Sequence, residues 1–228
     1  MTVEVTSAME EYLEIIYKLQ EKSGVATTSD LVKSLKVAPG TVTNTIARLE
    51  KESLVIHKPY RGVKLTEKGR RIALRMIRKH RLSERLLTDL LNVEWEKVHE
   101  AACKLEHSIS DEIAKRIEKV LGHPKTCPHG NPIPTECGGI IEESSKPLSE
   151  FNMGEKGVIA KITDERRELL EYLNSLEVRP DKIVEIIDKA PFGGPITIRI
   201  EGKSHALSRE IASLIELRKI EEETREEH

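Results

Sequence analysis

Residues Leu31–Thr66 read LVKSLKVAPGTVTNTIARLEKESLVIHKPYRGVKLT. Leu31 and Leu35, then Val42, Ile46 and Leu49, recur at helical spacing on either side of SLKVAPG. Pro39 opens the second helix at no hydrogen-bond cost, because a first-turn amide has no partner inside the helix. The pattern predicts two helices joined by a tight turn. The tail of the stretch, LVIHKPYRGVKLT, alternates β-favouring residues around Pro59 and Gly62, which predicts a small hairpin. A hairpin directly after such a helix pair is a wing. Upstream, Tyr12, Leu13, Ile15, Ile16 and Leu19 supply a third helix, so three helices precede residue 54.

Downstream the chain returns to long helices, from Thr66 to Leu91 and from Glu94 to about Leu121, with Ser110 a fresh N-cap that splits the second run. Leu86, Leu87, Leu90, Trp95, Val98, Ala102, Leu105, Ile109, Ile113 and Ile117 supply apolar faces suited to a two-fold interface. HPKTCPHGNPIPTECGGIIEESSKP is rich in Pro, Gly, Ser and Thr and reads as an irregular connector. Beyond it, GEKGVIAKI, DKIVEIID and PITIRIEGK read as strands, with DERRELLEYLNSL as one inserted helix, which predicts a small, partly closed β-barrel. The expected division is a winged helix-turn-helix over 1–72, a helical dimerisation and metal-binding part over 73–143, and a barrel over 150–228. The fold class is mainly α with a β C-terminal domain.

The 228 residues suit two or three small domains; 38% are hydrophobic and 33% charged, which excludes disorder throughout. No apolar run is long enough for a membrane span and the start has no signal-peptide character, so a cytoplasmic location is expected. Three cysteines do not make a disulfide framework. At 3% aromatic content a base-stacking surface for single strands is disfavoured. The net charge of -2 hides an asymmetry: His57 to Arg85 holds eleven Lys or Arg against two Glu, whereas Glu216 to His228 holds six Glu against three basic residues. In the second helix of the turn motif, Thr41, Thr43 and Asn44 stand where base edges are read, with Pro39 and Thr28 counted beside them. Arg48, Lys51, Lys58, Arg61 and Lys64 can neutralise phosphates of double-stranded DNA.

The other informative stretch is His80 and Glu84, followed by His99, Cys103, Glu106 and His107. On a continuous helix the last four fall within roughly a 100° arc, and His80 and Glu84 lie one turn apart on the preceding helix. Mixed imidazole, carboxylate and thiolate donors suit a first-row transition ion, Fe(II), Mn(II), Co(II), Ni(II) or Zn(II), and suit Ca(II) or Mg(II) poorly. His123, Cys127, His129 and Cys137 lack paired C-x-x-C spacing, and the prolines between them favour a structural loop. No nucleophile elbow, H-E-x-x-H, P-loop or dinucleotide fingerprint is present, so an enzyme is not expected. A helical metalloenzyme, or a winged-helix regulator that senses an organic ligand, is the competing reading.

Taken together, MEEYLEIIY, the winged helix, KHRLSERLLTDLL, KVHEAACKLEHSISDE, HGNPIP and the C-terminal segments GEKGVIAKI, PFGGPI and ASLIELRKI resemble the diphtheria toxin repressor family of metal-dependent regulators, over nearly the whole chain. The resemblance implies a homodimeric repressor of metal-homeostasis genes that binds an inverted-repeat operator, with an SH3-like barrel similar to the ferrous iron transport A (FeoA) domain and no organic cofactor. It assigns Cys103, Glu106 and His107, with Glu11 of the first helix, to a primary metal site. Iron-type relatives have Met at the Glu11 position and manganese-type relatives a carboxylate, whereas Cys103 is the iron-type choice. Fe(II) is the favoured metal, Mn(II) the alternative. His80, Glu84 and His99 match an ancillary site, completed from the barrel by Glu165 or Glu168. Arg81 and Asn131 fall where relatives hold an anion.

Overall fold

The computed structural model describes residues 5–220; most of the acidic tail after Glu216 lies outside the described residues. Two compact units are present. One takes the residues up to His80 with Glu106–Asp111 and Pro134–Gly139, and the other takes Arg81–Leu105, Glu112–Ile133 and the chain from Ile140 onward.

The first unit contains α1 (Ser7–Ser23), α2 (Thr28–Leu35) and α3 (Pro39–Lys51), the three expected helices. Thr6 caps α1 through Met9 N at 3.4 Å, and Thr27 caps α2 through Asp30 N at 3.1 Å, each satisfying an amide that the first turn leaves without a partner. Pro39 occupies the first turn of α3. Leu13, Ile16, Leu31, Val42, Ile46 and Leu49 are buried from three directions, so the periodic positions build one core. Antiparallel β1 (Val55–Lys58) and β2 (Gly62–Leu65) form the wing, and Ala26, just before α2, adds an isolated antiparallel bridge to Val63.

α4 runs from Glu67 to Arg85 and loosens into a π-helical turn over Leu86–Leu90. Its basic residues serve the fold more than the charge count suggested. Arg78 is buried and donates to the Pro134 carbonyl at 2.9 Å, Arg70 lies over the Tyr17 ring, and Asp111 receives Lys79 at 3.0 Å and Arg75 at 3.3 Å. Within the second unit, Arg81 donates to the Pro132 carbonyl, and Arg85 to that of Thr126 at 2.7 Å.

The second unit carries α5 (Val98–Leu105) and most of α6 (Asp111–Val120). Its six-stranded antiparallel sheet consists of β3 (Lys146–Pro147), β4 (Lys156–Ile162), β5 (Ile183–Lys189), β6 (Ile196–Ile200), β7 (Lys203–Leu207) and β8 (Ile215–Lys219), in the order β3-β8-β4-β5-β6-β7. α7 (Arg167–Ser175) is the expected inserted helix, and a short α8 (Arg209–Ala212) precedes β8. Ile196, Ile198 and Ile200 alternate inward along β6, as a half-buried strand requires, onto Phe151, Ile159, Leu170 and Leu217. Trp95, expected on a helical dimer face, instead lies in a turn and joins this core.

The proline-rich connector is ordered. Ile162 N donates to the His129 carbonyl at 2.9 Å, beside the point where β4 carries an extra residue, Ala160, relative to β8. Gly130 sits at φ 87°, and a Cβ there would stand 2.0 Å from the Ala160 carbonyl oxygen. Only glycine lets the connector press so closely on β4.

Two outcomes follow. Gly130→Ala loses roughly 1–3 kcal/mol in urea unfolding, from backbone strain and overlap, while Gly40→Ala, with open space around it, stays near wild type. Partial burial pulls the Asp111 carboxyl upward, but the hydrogen bond and charge of Lys79, with Arg75 behind them, hold it below the usual aspartate range. A lowered folded-state pKa gives stability that is present at neutral pH and lost as pH falls through that pKa. Asp111→Asn therefore loses less than about 1 kcal/mol at pH 7, the pair being half exposed, and the gap between variant and wild type closes in acid.

Candidate metal centre and nucleic-acid interface

In the second unit, four separate segments deliver donors to one place. α4 supplies Glu84, α5 supplies His99 and Cys103, the connector supplies Cys127 and His129, and the turn after β4 supplies Glu165. One donor atom each from Glu84, Cys127, His129 and Glu165 lies within 4.8 Å of all the others. Glu84 Oε1 is 3.3 Å from His129 Nδ1 and 3.4 Å from His99 Nδ1. Glu165 reaches the same two nitrogens, at 3.6 Å and 3.2 Å. Cys127 Sγ is 4.0 Å from both His129 Nδ1 and Glu165 Oε1, and Cys103 Sγ is 3.8 Å from His99 Nε2.

The surroundings aim these groups. His129 Nε2 lies 3.1 Å from the Trp95 carbonyl oxygen, which can only accept, so that nitrogen carries a proton and Nδ1 faces the carboxylates. The Trp95 indole donates to the Pro128 carbonyl at 2.8 Å, and its ring centroid lies 5.0 Å from that of His129. Asn131 donates to Glu165 Oε1 at 2.8 Å and to the Ile162 carbonyl at 3.0 Å.

Glu84, Cys127 and His129 are fully buried. Burial opposes charge on His99, yet its bonds to Cys103, Glu165 and Glu84 push its pKa up to about 11. His129 is driven up in the same way: burial resists, and Cys127, Glu165 and Glu84 overcome it. Glu165 resists ionisation through burial but is held well below the carboxylate range by His129 and His99. Burial and the Glu84 charge push the Cys127 thiol up. The two carboxylates thus pull positive charge into a buried site, a demand that a divalent cation meets as well as protons do. With thiol and imidazole beside them, the donor set fits a first-row transition ion.

The first unit holds a second group. His80 Nδ1 and Glu106 Oε2 are buried 2.6 Å apart, Glu106 Oε1 is 3.4 Å from His107 Nε2, and His107 Nδ1 is 3.1 Å from Glu10 Oε2. The carboxylate of α1 that reaches His107 is thus Glu10's, while Glu11 is exposed. The single helical face expected for His99, Cys103, Glu106 and His107 is broken, because α5 ends at Leu105 and Glu106–Ser108 tighten into a 3-10 turn. Three residues per turn in place of 3.6 re-aims Glu106 and His107.

Glu165 joins the buried centre, whereas Glu168 is exposed on α7. Of the two residues expected near an anion, Arg81 donates to the Pro132 carbonyl and Asn131 to Glu165 and the Ile162 carbonyl. Cys127 and His129, which the sequence places in a structural loop because paired C-x-x-C spacing is lacking, stand in the donor cluster. His123 is exposed near Glu118, and Cys137 is exposed in the first unit. The usable signal is Cys-Pro-His, Cys127 to His129, held between Pro124 and Pro132 in a loop too short to drift.

On α3, Pro39, Thr41, Thr43, Asn44, Arg48 and Lys51 are all exposed, with Thr43 Oγ1 donating back to the Pro39 carbonyl at 3.1 Å. Thr28 is half-buried at the start of α2, and Lys58, Arg61 and Lys64 are exposed on the wing. No helix among the described residues is long and apolar enough to cross a membrane.

Comparison with known proteins accounts for the same three regions. Residues 4–63 match the iron dependent repressor N-terminal DNA binding domain, 66–135 the iron dependent repressor metal binding and dimerisation domain, and 146–219 the FeoA domain. The iron-dependent repressor IdeR of Mycobacterium tuberculosis is 33% identical over 234 residues, covering 95% of this chain and 99% of its own. The diphtheria toxin repressor of Corynebacterium diphtheriae is 33% identical over 231 residues, with the same coverage of 95% and 99%. A solved manganese-dependent transcriptional repressor in complex with manganese superposes with a TM-score of 0.85 at 32% identity, over 93% of this chain and 100% of that one. With the winged helix, the donor clusters and the FeoA-type sheet in place, the chain belongs to the diphtheria toxin repressor family of metal-dependent transcriptional repressors.

Proposed function

We propose that this chain is a cytoplasmic, homodimeric repressor of metal-homeostasis genes that binds an inverted-repeat operator when Fe(II) is sufficient. The observation that carries this reading is the buried meeting of Glu84, Cys127, His129 and Glu165 in a chain that also presents a winged helix. These four residues, with His99 and Cys103 beside them, would hold one divalent ion. Glu106 and His107, with His80 and a carboxylate of α1, would hold another. A bound ion supplies the positive charge that keeps buried carboxylates and imidazoles together. Glu10 or Glu11 would then tether α1, and with it the winged helix, to the segment carrying Glu106 and His107. Metal raises DNA affinity only as far as it prefers the DNA-competent arrangement.

The exposed side chains of Leu90, Leu91, Ile113 and Val120 suit a two-fold interface in the second unit. Two such chains would place their α3 helices in successive major grooves, roughly 34 Å apart or a multiple of it. Asn44 would pair with adenine edges and the Thr43 methyl would meet thymine, while Arg48 and Lys51 would hold phosphates.

The thiols of Cys103 and Cys127 favour Fe(II) over the harder Mn(II). A manganese-responsive repressor is the second reading, supported by the α1 carboxylate at His107 and by the likeness to a manganese-dependent repressor. Anaerobic titration with Fe(II) and with Mn(II), read out as duplex affinity, tests both. Either metal is expected to tighten binding by about 5-fold to 150-fold, with Fe(II) active at the lower concentration. Cys127→Ser and His129→Ala should each lose most of that gain. Equal affinity with and without metal would remove the switch, and activation by Mn(II) alone would select the second reading. Raising salt should weaken binding steeply through counterion release.

A further inference from the structure

The wing ends in an aromatic ring that the fold does not use. β1 stops at Lys58 and β2 resumes at Gly62, which leaves Pro59, Tyr60 and Arg61 as the tip. Tyr60 is fully exposed and holds φ at 61°, in the left-handed region that bulky residues rarely enter. The other described large aromatic at such a position, Phe192, lies in the FeoA-type sheet among Gly and Pro, without basic neighbours in its turn. Around Tyr60 stand the exposed cations Lys58, Arg61 and Lys64.

The tip is rigidly mounted. Arg61 N donates to the Lys58 carbonyl at 2.9 Å. Below it, Ala26 and Val63 exchange backbone hydrogen bonds of 3.1 Å and 2.8 Å. Gly62 lets this happen, since a Cβ there would stand 2.6 Å from the Ala26 carbonyl oxygen. Gln20 of α1 accepts from Leu65 N at 2.7 Å, and Glu50 of α3 accepts from His57 N at 3.1 Å. The last contact locks the hairpin to the helix that reads DNA, so the tip has a set offset from α3. With α3 in a major groove, a hairpin fixed beside it meets the flanking backbone and minor groove.

A phenol ring is flat and amphipathic. It can lie against sugar walls while its hydroxyl donates to adenine N3 or thymine O2, the acceptors that A·T pairs show in the minor groove. The 2-amino group of guanine would block that position. An adjacent guanidinium is drawn to the narrow, strongly negative groove of A·T-rich tracts. We propose that Tyr60 and Arg61 form a minor-groove probe that makes this chain select A·T pairs beside those read by α3. The inference rests on the DNA-binding reading above and adds a specificity element outside the recognition helix.

The test uses the full-length protein, anaerobic and loaded with Fe(II) or Mn(II), and a duplex that it selects from a randomised pool. Flanking A·T pairs are then replaced by G·C, and separately by inosine·C, which keeps the major groove of G·C but lacks the minor-groove amino group. For the wild type, G·C should weaken binding by about 5-fold to 10-fold and inosine·C should restore it. Tyr60→Ala should bind all three flanks within about twofold of one another, with Arg61→Ala intermediate and weaker overall. The proposal is overturned by a wild type indifferent to the flank, by a preference that inosine·C does not restore, or by a preference that survives in Tyr60→Ala. A uniform loss across flanks in Tyr60→Ala reports backbone contact alone and also overturns it. The inosine comparison on the wild type decides the matter even if a variant folds poorly. Failure to select any duplex would instead remove the DNA-binding reading, and the probe with it.

Discussion

Glu84 and Glu165 are carboxylates placed where water is scarce, and most of the second unit is arranged around what they need. A buried carboxylate is tolerated only when positive charge or hydrogen-bond donors surround it. Here the response comes from His99, His129 and Asn131, delivered by α5 and the connector. Their arrival depends on Gly130 fitting under the Ala160 carbonyl, on Arg85 holding the Thr126 carbonyl, and on Trp95 bonding both Pro128 and His129. Trp95 also packs among the inward residues of the sheet, so the FeoA-type fold and the donor cluster share one side chain. The sheet is therefore part of the centre, through Glu165 from the turn after β4 and through the packing behind His129.

The first unit solves a different problem. A DNA-reading surface needs exposed cations and exposed hydrogen-bonding side chains on a rigid frame, and α3 with its wing provides them. Much of the basic charge nearby has a structural role: Arg70 stacks on Tyr17, Arg75 and Lys79 meet Asp111, and Arg78 is buried on a carbonyl. The exposed cations of α3 and the wing, Arg48, Lys51, Lys58, Arg61 and Lys64, are the ones left for the proposed DNA contacts. Such an arrangement favours register over bulk attraction, since each cation has a fixed place relative to α3.

The winged helix was legible because each of its signals is local: 3.6-residue spacing in α1 to α3, Pro39 in a first turn, and alternation around a three-residue tip. The pairing of His99 with Cys103 was legible for the same reason, being one turn of one helix. Glu106 and His107 were harder. Their donor chemistry is plain in the sequence, but the spacing argument needs a continuous helix and the chain tightens after Leu105. Cys127 and His129 were hidden because their role comes from tertiary placement: a connector defined by Pro and Gly looks irregular until β4 and Trp95 hold it. Trp95 misled in the opposite way, since an apolar residue near a helix reads as helix face whichever core receives it.

The most direct test of the account is an optical titration of the full-length protein with Co(II), whose thiolate ligation gives an intense charge-transfer band that nitrogen and oxygen ligands do not. The buried cluster predicts such a band in the wild type, a component of which disappears in Cys127→Ser and persists in Cys103→Ser. A spectrum unchanged by Cys127→Ser, at full cobalt loading, would contradict the claim that this buried cluster is a metal centre.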